Sequence, residues 1–321
     1  MPGQVPEKRD NTMRSFTKMF GAAAILAATV MVPVTTSSAT PSETIPVHPM
    51  ALRGRLNGLP TPAGEAGKPG GGAKTNGISY HGGPVMLGTV NAYIIWYGDW
   101  TGTAVRQTIV TDFLSTVSGS PYYNINTTYT NGGGGRVSNS VAYGGSAIDT
   151  TWNSNTSSLS DSDIQTITTN AINLGKLPKD ANGVYFVLTA AGVSKTGFGT
   201  SYCGWHTHAN IGGVDIKYSF VGDPTNVMSG CAAQTTSPNG DAPGDAMVSV
   251  IAHELEEAHT DPDLNAWYDT RGYENADKCA WTFGTTYSVN GALANVQLGT
   301  RNYYIQRNWV NASGGYCSMS Y

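Results

Sequence analysis

The residues best spaced for chemistry are His253, Glu254 and Glu257, within the run Ser249-Val-Ile-Ala-His-Glu-Leu-Glu-Glu-Ala-His-Thr-Asp-Pro262. If this run is helical, His253 and Glu257 stand one turn apart on one face and can reach a common point. The zinc-protease helix reads H-E-x-x-H, with two imidazole ligands and the intervening Glu as general base. Here the second ligand position is a carboxylate, giving H-E-x-x-E. A carboxylate binds zinc and suits harder cations better still. Glu254 would then stand where a base can deprotonate a metal-bound water. His259 lies on another face and cannot restore the two-histidine pattern.

A third ligand has candidates downstream, in Glu274-Asn-Ala-Asp277-Lys-Cys279. Thermolysin-type proteases use a second-segment Glu about twenty residues past the second ligand; Glu274 and Asp277 lie 17 and 20 residues past Glu257. The expected metal set is therefore His253, Glu257, Glu274 and Asp277, with zinc as the cation and calcium as the alternative. The competing explanation is a Glu-rich helix face turned to solvent. Two more histidines, His206 and His208, alternate along an expected strand, which puts both imidazoles on one side. They are candidates for supporting the His253 site or steadying an oxyanion, or for a simple hydrogen-bonded pair. His81 is expected to cap a turn before Gly82-Gly83-Pro84. Trp205, Trp267 and Trp281 could line a sugar-binding cleft, although Trp is more often a core residue.

Elements must position these groups. Asp241 and Asp245 offer N-caps for the His253 helix, Pro243 fits its first turn, and Pro262 ends it. Met247, Val250, Ile251, Leu255 and Ala258 recur at helical spacing. Val85–Trp96, Val184–Thr189 and Asp215–Val221 read as strands, and Ala104–Thr116 as an amphipathic helix. Ser160 to Asp163 caps a second helix through Ile164, Ile167, Ala171 and Leu174. Tyr122–Tyr143 reads as a strand pair around the glycine run Asn131–Gly135. That run lacks the Lys-Ser/Thr of a phosphate-binding loop. Strands alternating with helices predict a single α/β domain over 78–321, a mixed-sheet sandwich with a zincin-like metal helix crossing the sheet.

The first segment reads as processing. Arg14 and Lys18 precede the apolar run Met19–Val34, and Ser37-Ser-Ala39 supplies a cleavage site, so residues 1–39 are expected to be a signal peptide. Met13 could be the initiator. Residues 40–77 are Pro- and Gly-rich and read as a disordered linker or pro-segment, with His48 inside it. Four cysteines in an exported chain predict two disulfides. Cys203–Cys231 and Cys279–Cys317 close the shorter loops. Sequons begin at Asn126, Asn155 and Asn311. Net charge is −4 and charged residues are 12% of the 321, which argues against a nucleic-acid-binding surface. No segment after the leader is apolar enough to span a membrane.

Several segments taken in order resemble a known family: Tyr80-His-Gly-Gly-Pro-Val-Met86, Tyr93-Ile-Ile-Trp-Tyr-Gly-Asp-Trp100, Cys203-Gly-Trp-His-Thr-His208, Ser237-Pro-Asn-Gly-Asp241, the His253 helix with Thr260-Asp-Pro262, and Asn265-Ala-Trp-Tyr268. The likeness runs from about Tyr80 to Tyr321, and the chain is similar to the EXORDIUM / phosphate-induced protein family. It implies an extracellular or cell-wall protein, associated in plants with growth and brassinosteroid response, without a secure catalytic assignment. The intact His-Glu-x-x-Glu helix and the Glu274-to-Cys279 segment resemble a microbial, exported branch. Two functions are expected from these residues: a secreted metal-dependent, peptidase-like hydrolase, or a non-catalytic matrix or glycan-binding protein with a structural or vestigial metal site.

Overall fold

The computed structural model describes residues 48–51, 77–151 and 158–321. The expected signal peptide, most of the linker and the Asn155 sequon lie outside the described residues. Chain order begins with β1 (His48–Ala51), β2 (Ser79–Tyr80), β3 (Val90–Tyr97) and α1 (Ala104–Thr116), then a 3-10 turn at Tyr123–Thr128. β4 (Val141–Asp149), α2 (Asp161–Asn173), β5 (Gly183–Thr189), β6 (Tyr202–Ile211) and β7 (Val214–Gly222) follow. After them come α3 (Met228–Cys231), α4 (Ala242–Thr260) and β8 (Trp267–Tyr268).

Six of these strands form one mixed sheet in the order β1-β6-β7-β5-β3-β4. β3 pairs in parallel with β4 and β5, β5 in parallel with β7, and β6 runs antiparallel to β7 and to β1. β5 is buried along its whole length, as parallel strands covered on both faces must be. The β3–α1–β4 and β4–α2–β5 crossovers step in opposite directions along the sheet. Their right-handed sense puts α1 and α2 on opposite faces. α4 joins α1 and packs against β6 and β7. The expectation of an α/β fold with a mixed sheet holds, but α4 runs alongside β6 instead of crossing the sheet.

Local signals explain the helices. Ser160 Oγ accepts from the Asp163 amide while the Asp163 carboxylate accepts from the Ser160 amide, a reciprocal cap for α2. Asp241 caps α4 by accepting from the Gly244 amide at 2.7 Å, with proline in the first turn. From Gly244 to Thr260 every residue of α4 is buried. The sheet covers one side, and the C-terminal part of the chain wraps the other. That part contains three hairpins: β9 (Tyr287–Val289) with β10 (Ala292–Ala294), β11 (Val296–Leu298) with β12 (Arg301–Tyr303), and β13 (Asn308–Val310) with β14 (Tyr316–Ser318). Both expected disulfides, Cys203–Cys231 and Cys279–Cys317, are formed.

Several expectations are corrected. Tyr122–Tyr143 is not a strand pair: Tyr123–Thr128 is a 3-10 turn, and only an isolated bridge between Thr130 and Arg136 flanks the glycines. Asn131 takes over the turn, its Oδ1 accepting from the Gly133 and Gly135 amides, a side-chain alternative to a backbone ladder. The first long strand starts at Val90 rather than Val85. His48–Ala51, inside the stretch read as linker, adds an edge strand to β6. His81 stacks on Tyr268 with ring centroids 3.7 Å apart and reaches the Tyr268 carbonyl, so it joins two segments instead of capping its own turn. Trp205, on β6, is fully buried against Tyr218 and Phe220 of β7. Trp267 packs between Tyr80 and Tyr129 in a separate cluster, so those two do not line a common cleft. Asn126 has no exposure.

Candidate metal centre

α4 and β6 meet at a glycine. A Cβ on Gly204 would lie 2.6 Å from Val250 Cγ1, 2.9 Å from the Phe220 carbonyl oxygen and 3.1 Å from Glu254 Oε1. Only glycine lets the helix come this close to the strand. The helix runs in the same sense as β6, with Gly204 beside Glu254, His206 beside Glu257, and His208 beside Asp263 just past the helix end.

The one-turn spacing does what the sequence implies. His253 Nε2 lies 3.0 Å from Glu257 Oε1 and 3.5 Å from Asp277 Oδ1. The Asp277 amide donates to the same Glu257 oxygen at 3.1 Å, so the 3-10 turn at Asp277–Cys279 is docked onto the helix. That turn is tied in place by the Cys279–Cys317 bond. Gln306 Nε2 lies 2.7 Å from His253 Nδ1, and whichever way its amide is turned, a polar atom fixes the ring orientation.

His206 completes the other half. Its Nε2 is 2.8 Å from Glu274 Oε2 and 3.6 Å from Glu257 Oε2. Two ligand sets thus form, His253–Glu257–Asp277 and His206–Glu254–Glu257, each with its donor atoms within 4.8 Å of one another. His206, His253, Glu254 and Glu257 have no exposure, and Glu274 has 1%. Of the expected residues, the structure brings together His253, Glu254, Glu257, Glu274, Asp277 and His206.

His208 is not among them. Both histidines face the α4 side, as alternation requires, but two residues of strand span about 6.6 Å. His208 Nδ1 therefore meets Asp215 at 2.7 Å and Asp263 at 3.6 Å, in a half-exposed group. Lys217 Nζ is already 2.8 Å from Asp215, so an ammonium supplies the positive charge and this second cluster is an ion-pair network. His259 points elsewhere, to the Tyr123 hydroxyl.

Electrostatics in the main cluster are severe. Burial pushes the Glu274 carboxyl well above the usual range, and the charges of Glu257, Asp261 and Asp277 push it further. Burial disfavours the His253 imidazolium, yet Glu257 and Asp277 outweigh it and hold its pKa well above that of ordinary histidine. The Asp261 carboxyl is raised by burial, and its Oδ1 accepts from the Asn265 and Ala266 amides. A divalent ion bound among these groups would compete with their protons. Two imidazoles with several carboxylates fit zinc or a similar transition cation; calcium, which takes oxygen ligands, fits less well. Asp261 and Gln306 escaped sequence reading. Asp261 is recognisable only as the residue before Pro262, and Gln306 carries no local signal.

Comparison with known proteins agrees with the motifs. The profile of the phosphate-induced protein 1 conserved region matches residues 78–304. Protein EXORDIUM-like 3 of Arabidopsis thaliana is 30% identical over 281 residues, covering 75% of this chain and 82% of its own. Protein EXORDIUM-like 5 of the same plant is 31% identical over 239 residues, covering 65% of each chain. Protein EXORDIUM is 28% identical over 235 residues, covering 62% of this chain and 70% of its own. No solved structure matches. The chain belongs to the EXORDIUM / phosphate-induced protein family.

Proposed function

We propose that this chain is an exported, extracellular EXORDIUM-like protein whose core is organised around a buried divalent cation, zinc before calcium, held by His253, Glu257 and Asp277. His206, Glu254 and Glu274 lie against the same set, and α4 plays the part of a zincin-like metal helix. One observation carries the reading: two imidazoles and several carboxylates converge on one helical turn at essentially zero exposure. Each buried carboxylate costs several kcal/mol unless it is neutralised. A cation repays that cost, and it ties α4, β6 and the 274–279 segment to one point. Export is supported by the leader composition and by the two disulfides. Among the described residues no helix is long and apolar enough to cross a membrane.

The role that fits this burial is structural: a metal-stabilised scaffold in the extracellular space or cell wall, free to present its outer surface to glycan or peptide. A hydrolase is the second reading, favoured by Glu254 lying with Glu257 and His206 in one ligand set. In that reading Glu254 is the general base, and the metal supplies the polarised water. Substrate would have to reach side chains that have no exposure. Surface clefts of about 240 Å³ at Lys195–Phe198 and about 260 Å³ at Trp96–Thr101 are lined by other residues.

The test is metal analysis of the purified chain together with chelator titration followed by thermal melting. Bound zinc, and a lowered melting temperature on its removal, are expected. Metal-free protein with an unchanged melt in chelator would defeat the proposal. Turnover separates the two readings: a hydrolase cleaves a peptide library and loses that turnover in Glu254→Gln, whereas a scaffold shows no turnover in either form.

A further inference from the structure

We infer that the centre is built for two cations, with Glu257 as the bridging carboxylate. The inference rests on the cation-site reading above and concerns how many ions that site takes. The two oxygens of Glu257 serve different partners: Oε1 lies 3.0 Å from His253 Nε2, and Oε2 lies 3.6 Å from His206 Nε2. Each imidazole has its own carboxylate as well. Asp277 Oδ1 is 3.5 Å from His253 Nε2, and Glu274 Oε2 is 2.8 Å from His206 Nε2. The compact ligand sets divide the same way, His253 with Asp277 in one and His206 with Glu254 in the other, and Glu257 alone belongs to both.

Stoichiometry of charge points the same way. Glu254, Glu257, Glu274 and Asp277 carry four negative charges when ionised. One divalent ion offsets only half of that charge, and the remainder stays buried at several kcal/mol for each group. Two divalent ions balance four carboxylates. Paired metals held by a shared ligand sit roughly 3.5–4 Å apart, a separation that the two oxygens of one carboxylate can span. The donor chemistry, one imidazole and mixed carboxylates on each side, suits zinc(II) or manganese(II).

The experiment strips the full chain in denaturant with its disulfides intact, refolds it with zinc(II) alone, and counts bound metal by mass spectrometry of the washed protein. Two equivalents per chain are expected. His206→Ala and His253→Ala should each retain one equivalent, and Glu257→Gln should weaken both ions by about tenfold or more. One equivalent in the wild type, unaffected by His206→Ala, would overturn the bridge while leaving the single-cation reading intact. Zero equivalents would defeat that underlying reading instead. If a variant misfolds, wild-type protein refolded with manganese(II) decides the matter by paramagnetic resonance. An exchange-coupled pair supports the bridge, and an isolated six-line spectrum overturns it.

Discussion

The hydroxyl of Tyr123 meets Nδ1 of His259 at 2.8 Å, on a face of α4 other than the one that carries His253 and Glu257. Burial holds the Tyr123 phenol protonated and lowers the His259 pKa to about 3, so the phenol donates and the neutral imidazole accepts. α4 is thus pinned through one face to the Tyr123–Thr128 turn while its other face gathers the metal ligands. Tyr123→Phe leaves a buried acceptor without its donor, and a loss of about 1–3 kcal/mol is expected in urea unfolding at pH 7.

The same pair sets an acid limit on stability. Between the ordinary histidine pKa of 6.5 and about 3, the unfolded chain binds a proton at residue 259 that the folded chain refuses. The contribution is complete above the unfolded value and is lost as pH falls through this window, at up to about 1.4 kcal/mol per pH unit. From pH 7 to pH 4 the urea midpoint of the wild type should fall relative to that of His259→Gln, which lacks this contribution. An identical slope in the variant would remove His259 as the cause.

Gly204→Ala tests the close approach of helix and strand. The new methyl meets Val250, the Phe220 carbonyl and Glu254 at 2.6 to 3.1 Å, so α4 must move away from β6. A destabilisation of about 1–3 kcal/mol is expected, with reduced zinc content because His206 and Glu254 separate. Metal analysis and calorimetric melting check both effects. Full zinc occupancy in a destabilised variant would show that the ligands do not depend on this contact.

The Cys279–Cys317 bond closes a separation of 38 residues, and chain entropy assigns it about 4 kcal/mol. Because Asp277 opens the turn that ends at Cys279, the double variant Cys279→Ser/Cys317→Ser should lose cation affinity as well as stability. The variant lacking Cys203 and Cys231 should lose stability alone. Denaturation and zinc competition on both variants give the comparison.

Asn126 has no exposure, whereas Asn311 is partly exposed at the start of a turn. Expression through a eukaryotic secretory route should therefore leave Asn126 unmodified in the folded product, as peptide mass spectrometry will read. A glycan on Asn126 would contradict the packing of the Tyr123–Thr128 turn.

Legibility in the sequence followed the range of the physics. α1 ends where its apolar spacing ends, and α2 starts at the Ser160 cap, because propensity and capping act within a few residues. His253 and Glu257 were readable for the same reason: helical geometry is local. Glu274 and Asp277 could be named but not apportioned between the two imidazoles, since that depends on how a segment about twenty residues on folds back. His206 joins the site only through the packing of β6 on α4, a contact with no local trace except Gly204. The strand pair expected over Tyr122–Tyr143 failed because Asn131 bonds to its neighbours' amides and outcompetes the ladder.

β1 has one more consequence. His48 sits opposite His206, and Met50 opposite Gly204, along the outer border of β6. Proteolytic trimming downstream of Ala51 would strip that border and leave the His206 strand with unpaired amides and carbonyls facing outward. With β1 in place, the border that could otherwise seat an extended peptide is occupied by the chain itself.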